Sequence, residues 1–144
     1  MMQKVVVKEP GRSWIEHDQV LHTFHANDRS HPRREEVFVK LKEVSVRLKE
    51  AGYVPDLSCA LHDVDEEQKE KMLLGHSEKL ALTYGLIVVP EGAPIRVIKN
   101  LRICADCHSF AKMVSKVYGR KVCLRDKNRF HLITGGICSC GDYW

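Results

Sequence analysis

His76-Ser77-Glu78 and, farther along the chain, Cys104-Ala105-Asp106-Cys107 are the two stretches that decide what kind of domain this sequence forms. One imidazole and two thiolates make a set of three zinc ligands, and a tetrahedral zinc with three protein ligands keeps its fourth position for water. That arrangement is typical of a catalytic rather than a structural zinc site. Glu78 follows the histidine by two residues, so it is available to move protons to and from that water.

The order of these residues, H-x-E with a later C-x-x-C, is typical of the zinc nucleobase deaminases. Those enzymes have a proline before the first cysteine, where this chain has Ile103. His76 and Cys104 each begin a predicted helix, so both ligand sets should lie in first turns, where backbone N–H groups and the helix dipole favour thiolates. Zinc lowers the pKa of its bound water toward ~7, so the pattern predicts hydrolytic deamination by zinc-bound hydroxide with Glu78 as the proton shuttle.

The segment Cys104-Ala105-Asp106-Cys107-His108 has a second interpretation, because C-x-x-C-H is also the attachment motif of c-type haem. Haem would leave the upstream H-x-E without a purpose, so zinc is favoured. His108 itself has two possible roles. As a fourth ligand of the first metal it would close that site, and as a ligand of a second metal it would turn toward the C-terminus.

A second cluster of potential ligands lies near the C-terminus, where His131, Cys138 and Cys140 fall within ten residues. Together with His108 they would form a closed two-histidine, two-cysteine zinc site of the structural kind. In the alternative interpretation, the two cysteines are reduced thiols and His131 is an ordinary strand residue. The close C-x-x-C and C-x-C spacings favour metal binding over disulfides in a chain without a secretory signal.

The chain of 144 residues, 44% apolar and 29% charged, predicts one globular domain. No stretch approaches the ~18 apolar residues of a membrane span, and no secretory or transit peptide is recognisable at the start. The positive charge is concentrated between residues 112 and 129, which hold seven basic residues and one acid. Charge runs are often plain solvated surfaces, but beside a deaminase pattern we interpret this basic segment as a track for phosphates. Its members are Lys112, Lys116, Arg120, Lys121, Arg125, Lys127 and Arg129.

Alternating helix-like and strand-like segments predict an α/β domain with helices over a sheet. The predicted strands are residues 13–16 and 20–25, forming a hairpin, and then 95–103, 121–125 and 129–133. The predicted helices run from residues 28–32 to Gly52, from 76 to 84 with a stop at Gly85, and from 104 to 118 with a stop at Gly119. Residues 53–74 fit no regular repeat and indicate an insertion.

Five motifs, in order, resemble those of the DYW domain that ends many plant pentatricopeptide-repeat RNA-editing proteins. They are Glu9-Pro-Gly-Arg-Ser-Trp-Ile-Glu16, like the PG box; Gly75-His-Ser-Glu-Lys-Leu-Ala81; Cys104-Ala-Asp-Cys-His108; Asp126-Lys-Asn-Arg-Phe-His131; and Cys138-Ser-Cys-Gly-Asp-Tyr-Trp144. The resemblance implies a cytidine deaminase-like fold and C-to-U editing of single-stranded organellar RNA in chloroplasts or mitochondria. It also implies two zinc ions, a catalytic one on His76, Cys104 and Cys107 beside Glu78, and a structural one on His108, His131, Cys138 and Cys140.

The resemblance further implies how the chain is divided. Residues 1–8 would be the remnant of a preceding E-type motif, and residues 9–144 the DYW deaminase domain. Within that domain we expect a PG-box hairpin at 9–32, a gating insertion at about 53–71 and a zinc-binding tail at 138–144. Upstream pentatricopeptide repeats, and possible protein editing factors, are the expected partners, with no membrane involved.

Two other functions use the same residues. A deaminase of free nucleosides would share the chemistry but would leave the basic segment unexplained. A catalytically silent module, held together by zinc and binding RNA or protein, would keep every zinc ligand and convert no substrate. Intact zinc ligands alone do not show that the gating insertion opens.

Overall fold

Six strands form one sheet, and the helices that contact it lie on a single face. The computed structural model describes residues 11–26, 31–59, 65–127 and 129–141. The strands are β1 (Arg12–His17), β2 (Val20–His25), β3 (Ile95–Lys99), β4 (Val122–Arg125), β5 (Phe130–Thr134) and β6 (Ile137–Cys138). Their order across the sheet is β2-β1-β3-β4-β5-β6, with β3 and β4 parallel and the other neighbours antiparallel.

The described residues also form four α-helices: α1 (Arg34–Glu50), α2 (Glu66–Leu74), α3 (Ser77–Val88) and α4 (Ala105–Val117). Helix α3 packs on β1, β2 and β3, helix α4 packs on β5, and α1 covers α3 and α4 from outside. The predicted apolar stripe of α1 is confirmed, because Val37, Leu41, Val44 and Leu48 are all buried. The mixed α/β architecture with a central sheet and helices is the expected cytidine deaminase-like arrangement, and it confirms the predicted fold class.

The hairpin of β1 and β2 is closed by a two-residue turn at Asp18 and Gln19. Both residues have positive φ angles, of 51° and 64°, as in the turns that match the natural twist of a hairpin. Alternate residues of β1 then face the helices, where Ser13 and Ile15 are buried. The predicted hairpin is therefore confirmed, with β1 one residue longer at each end.

A cluster of rings joins this hairpin to α3. Nδ1 of His22 lies 2.9 Å from Nε2 of His31, and the Tyr84 hydroxyl lies 3.4 Å from the other nitrogen of His22. The Arg33 backbone N–H donates to Nδ1 of His31, so the neutral His31 carries its proton on Nε2 and donates to His22. Burial, together with the nearby charges of His17 and Arg33, lowers the pKa of His22.

Two predicted boundaries are wrong and one strand was not predicted, each for a physical reason. Gly85 does not end α3, which continues to Val88. A Cβ at Gly85 would lie 2.5 Å from an Ile95 methyl and 2.9 Å from Ile15, so the glycine permits close packing of helix on sheet instead of ending the helix. Strand β3 ends at Lys99 rather than residue 103, because the chain turns there toward α4. The short strand β6 was not predicted, since two residues carry no periodic signal.

The insertion contains more regular structure than its sequence indicated. Within it, a 3-10 helix at Leu57–Cys59 precedes helix α2, and the two are in contact. The predicted E-type remnant, the opening of the first helix at residues 28–30 and the final Asp142-Tyr143-Trp144 lie outside the described residues. Among the described residues no helix has the length and apolar character needed to cross a membrane.

Candidate metal centres

The first cluster forms where two helices begin side by side. His76 is the N-cap residue of α3 and Cys104 is the N-cap residue of α4, both with extended backbone. The predicted position in first turns is therefore observed. Nδ1 of His76 lies 3.3 Å from the sulfur of Cys107 and 3.7 Å from that of Cys104. With one carboxylate oxygen of Glu78 added, all four potential ligand atoms lie within 4.8 Å of one another.

The two thiols of this cluster differ in acidity. The pKa of Cys104 is lowered to about 4, chiefly by a hydrogen bond from the Cys107 thiol. Burial opposes this effect, and hydrogen bonds from His76 and the Cys107 backbone N–H add to it. Burial, together with the hydrogen bond to Cys104, raises the pKa of the Cys107 thiol. Cys107 therefore keeps its proton and donates it to the Cys104 sulfur. The cluster thus offers one thiolate directly, and a metal that binds both sulfurs must displace the second proton.

Glu78 is buried against the cluster and held by two neighbours. Its side chain is 4% exposed, and Oε1 lies 2.6 Å from the ammonium of Lys99. The Ser77 hydroxyl, 3.0 Å away, donates to the same oxygen. Burial alone would raise the pKa of this carboxyl, but the charge of Lys99, hydrogen bonds from Cys107 and Lys99, and His76 hold it below its ordinary value. A carboxylate kept ionised in a buried site is suited to accept a proton.

Lys99 is a site residue that the sequence reasoning missed. It ends β3, and the alternation of Ile95 and Val97 already pointed it toward the helices. The start of β1 closes over it, because a Cβ on Gly11 would lie 3.8 Å from the Lys99 ammonium. Next to it, the Ser13 hydroxyl lies 2.9 Å from that of Ser77. The PG-box strand is therefore connected to the carboxylate through buried polar contacts.

The second cluster brings His108 to the C-terminal residues. Nε2 of His108 lies 3.4 Å from the sulfur of Cys140, and Nδ1 of His131 lies 3.5 Å from that of Cys138. The two imidazole rings approach edge to face with centroids 5.0 Å apart. These four ligand atoms also lie within 4.8 Å of one another. His108 therefore joins this cluster, which leaves three protein ligands and Glu78 at the first one.

Asp126 supports the second cluster from behind. Its Oδ2 lies 3.7 Å from Nε2 of His131, on the ring side away from Cys138, which is where metal-binding histidines usually meet a carboxylate. Burial, opposed by Asp126 and assisted by Arg129, lowers the pKa of His131 and keeps the ring neutral, as metal binding requires. Backbone N–H groups of Ile103 and Arg129 donate to the same carboxylate, so it fixes the loop before Cys104.

A buried ion pair supports the first cluster. Lys79 and Asp106, with side chains 1% and 0% exposed, join α3 to the first turn of α4. The Tyr53 hydroxyl and the Asp56 backbone N–H both donate to Oδ1 of Asp106, at 2.6 Å and 2.8 Å. The insertion is thereby fastened to the turn that carries the two cysteines. This pair could not be predicted from the sequence, since a lysine and an aspartate 27 residues apart form no local pattern.

The basic segment does not lie on one surface. Arg120 is 6% exposed and donates to the backbone carbonyls of Val89 and Pro90 at 2.9 Å and 3.2 Å, so its inclusion in the phosphate track is corrected. It fastens the end of α3. On α4, Lys112 lies half-buried and Lys116 is exposed, and the other four residues are exposed on or beside β4. These four are Lys121, Arg125, Lys127 and Arg129.

A carboxylate buried beside one imidazole and two sulfurs, on an α/β domain with a second His/Cys cluster, is the combination of residues typical of metal-dependent hydrolytic sites. Residues 52–144 match the model of the DYW family of nucleic acid deaminases, and the chain belongs to that family. It is similar over its whole length to proteins of Arabidopsis thaliana. One, by its name a mitochondrial pentatricopeptide repeat-containing protein, is 76% identical over 144 residues. Another, the chloroplastic pentatricopeptide repeat-containing protein ELI1, is 49% identical over 144 residues. The chain spans 23% of the length of each of these two relatives.

Proposed function

We propose that this chain is a zinc-dependent cytidine deaminase domain that converts cytidine to uridine in single-stranded organellar RNA. The observation that carries the proposal is the buried Glu78 carboxylate within 4.8 Å of the ligand atoms of His76, Cys104 and Cys107. Membership of a nucleic acid deaminase family gives the reaction class, and the match to repeat-containing relatives named mitochondrial and chloroplastic supports an organellar transcript as the substrate.

The donor set fits zinc at both clusters. One nitrogen and two sulfurs at the first, and two of each at the second, are the ligand types of tetrahedral zinc sites. At the first cluster His76 binds through Nδ1, the nitrogen that faces both sulfurs, and with His108 committed to the second cluster one position stays open. When bound there, zinc supplies a Lewis acid that lowers the pKa of water toward ~7.

Glu78 carries the protons in this proposal. Lys99 and Ser77 both hold Oε1, whereas buried Oε2 has no hydrogen-bond partner among the described residues. The free oxygen accepts one proton of the attacking water and passes it to the cytosine ring nitrogen. It then carries the second proton, left on the added hydroxyl, to the amine, which departs as ammonia. Lys99 fixes the carboxylate in place, which leaves one oxygen oriented for transfer.

The remaining roles follow the structure around the site. The second cluster binds a structural zinc that fixes the C-terminal strands to α4. Residues 53–71 gate the site, with Tyr53 and Asp56 as their attachment to the cysteine turn. Lys112, Lys116, Lys121, Arg125, Lys127 and Arg129 contact RNA phosphates. Upstream pentatricopeptide repeats select the transcript, with protein editing factors as further partners.

The test uses the chain fused to an upstream repeat array, incubated with the matching RNA and with zinc measured. We expect uridine to form, and to disappear in Glu78→Ala while two zinc ions per chain are retained. A matched control, Glu35→Ala, changes an exposed glutamate of α1 and should keep full activity. No uridine from a fully zinc-loaded parent chain would contradict the proposal and favour a silent binding module. Conversion of free cytidine but not RNA would favour a nucleoside deaminase.

A further inference from the structure

Among the described residues, no helix packs on the face of the sheet opposite α3 and α4. These two helices pack on the side of Ile15, Ile95 and the other buried strand residues. On the opposite side Ile98 is 46% exposed and Phe130 is 59% exposed. Contiguous exposed apolar surface of this kind usually marks an interaction site.

The strand register places five side chains of this face in one row. Trp14 pairs with Thr23 on one side and with Ile98 on the other, Ile98 pairs with Arg125, and Arg125 pairs with Phe130. Since neighbouring strands lie about 4.8 Å apart, the two aromatic rings are separated by roughly 14 Å with an arginine between them. We call these five residues the open-face row.

The charge of this surface is positive. Arg125 belongs to the row, and Arg96 lies two residues before Ile98 on β3. Both arginines are exposed, and neither has an ion-pair partner among the described residues. The Arg12 guanidinium lies over the Trp14 ring, 5.3 Å from its centre, which holds the ring in position. The acids Glu16 and Asp18 lie toward the hairpin turn and limit the surface on that side.

Two cavities lie on this face of the sheet, one on each side of β3. One, of about 440 Å³, is lined by Trp14, Leu21, Arg96 and Ile98 among others. The other, of about 330 Å³, lies between Arg96, Arg125 and Phe130. Both have the size of small-ligand pockets, and each combines an aromatic ring with an arginine.

The row also lies next to the first metal cluster. Lys99 follows Ile98 directly, and its side chain emerges on the other side of the sheet to meet Glu78. One residue of strand, about 3.3 Å, therefore separates the open-face row from the residue that holds the carboxylate. A chain bound along the row has a short path around the ends of β3 and β4 to the site.

We propose that the open-face row binds single-stranded RNA, with bases stacked on Trp14 and Phe130 and phosphates held by Arg96 and Arg125. This proposal rests on the proposed function, because it supplies the binding surface for nucleotides that flank the cytidine. A half-buried Trp14 ring and an exposed Phe130 ring with arginines between them on a sheet are suited to unpaired bases. Every base has a face to stack, and every nucleotide has a charge to neutralise. A protein partner would need acidic groups opposite both arginines.

The test measures RNA binding without turnover. The zinc-loaded chain carrying Glu78→Ala is titrated into a labelled single-stranded RNA of twelve nucleotides, at two salt concentrations. We expect Phe130→Ala to weaken binding by roughly five- to a hundred-fold, the range for loss of one stacked base. Arg125→Ala should weaken binding and reduce the salt dependence by about one counterion. Val39→Ala and Lys42→Ala, matched exposed positions on α1, should leave affinity unchanged.

A second measurement reports on stacking itself. The chain has two tryptophans, and Trp144→Phe leaves Trp14 as the only one, whose fluorescence a stacked base should quench. RNA affinity in Phe130→Ala within twofold of the parent, with unchanged folding by circular dichroism, would overturn the proposal. The proposal would also be overturned if Phe130→Ala no longer bound a separately expressed repeat array but kept its affinity for RNA. That result would make the face a protein interface. Because these experiments involve no turnover, a chain that forms no uridine still gives a clear result for this surface.

Discussion

Replacing Lys79 by methionine should destabilise the whole domain, because it leaves a charge buried without its partner. Lys79 and Asp106 are almost completely inaccessible to solvent, and their ion pair joins the two helices that carry the first metal cluster. Methionine keeps the length of the side chain and removes the ammonium. Asp106 would keep the donors Tyr53 and Asp56 on Oδ1, but Oδ2 would lose the lysine.

The expected size of the effect follows from this burial. Breaking a buried ion pair by removing one partner costs about 3–5 kcal/mol of unfolding free energy. For a chain of this length that corresponds to a fall in melting temperature of about 6–20 °C. The solvent-accessible pair of Lys40 and Glu43, 3.5 Å apart on α1 with side chains 28% and 56% exposed, provides the matched control. Lys40→Met should cost less than about 1 kcal/mol.

Urea unfolding at a fixed free zinc concentration measures both variants. The double variant Lys79→Met with Asp106→Asn should regain at least about 1 kcal/mol relative to Lys79→Met alone, because it removes the stranded charge. If Lys79→Met is no less stable than Lys40→Met, the buried pair contributes nothing and this reasoning fails. Equal stability of the single and double variants would show that the loss comes from packing and not from charge.

Three further outcomes are expected. Lys99→Ala should lower the turnover number up to about a hundred-fold through misplacement of the carboxylate, with zinc content unchanged and partial recovery in Lys99→Arg. Because the pKa of His22 is lowered in the folded chain, stability should decline as the pH falls below about 6.5, the unfolded value. Urea unfolding at pH 7.0 and 5.5 should show a shallower decline in His22→Gln than in the control His25→Gln. Cys138→Ser should reduce bound zinc from two ions per chain to one by elemental analysis, and retention of both would show that the second zinc does not depend on Cys138.

The sequence predicted the potential metal ligands and the proton carrier better than the residues that hold them in position. His76, Glu78, Cys104 and Cys107 form a recognisable spacing because two helix starts impose it, and the N-cap positions follow from the flanking pattern. Lys99 and Asp126 could have been suspected from strand alternation and position, but neither matches a ligand motif. Lys79 and Asp106 meet only through the packing of α3 against α4, which no local pattern encodes.

The errors in the fold have similar causes. Gly85 was interpreted as a helix stop because glycine commonly ends helices, yet here tertiary packing against Ile15 and Ile95 requires the missing side chain. Arg120 was grouped with exposed basic residues because charge alone does not reveal that its guanidinium donates to two backbone carbonyls. In both cases a local preference was overridden by a long-range contact.

The first turn of α4 explains how the separate parts of the site depend on one another. Successive helical residues point about 100° apart, so Cys104 and Cys107 face α3, Asp106 faces Lys79 and the insertion, and His108 faces the C-terminal cluster. One short turn is thus fixed on three sides by three different kinds of interaction. If any one of these three interactions is lost, only two remain to fix the turn that carries the cysteines. We therefore expect zinc at the second cluster and the buried ion pair to raise the affinity of the first cluster for zinc, although neither contacts that metal.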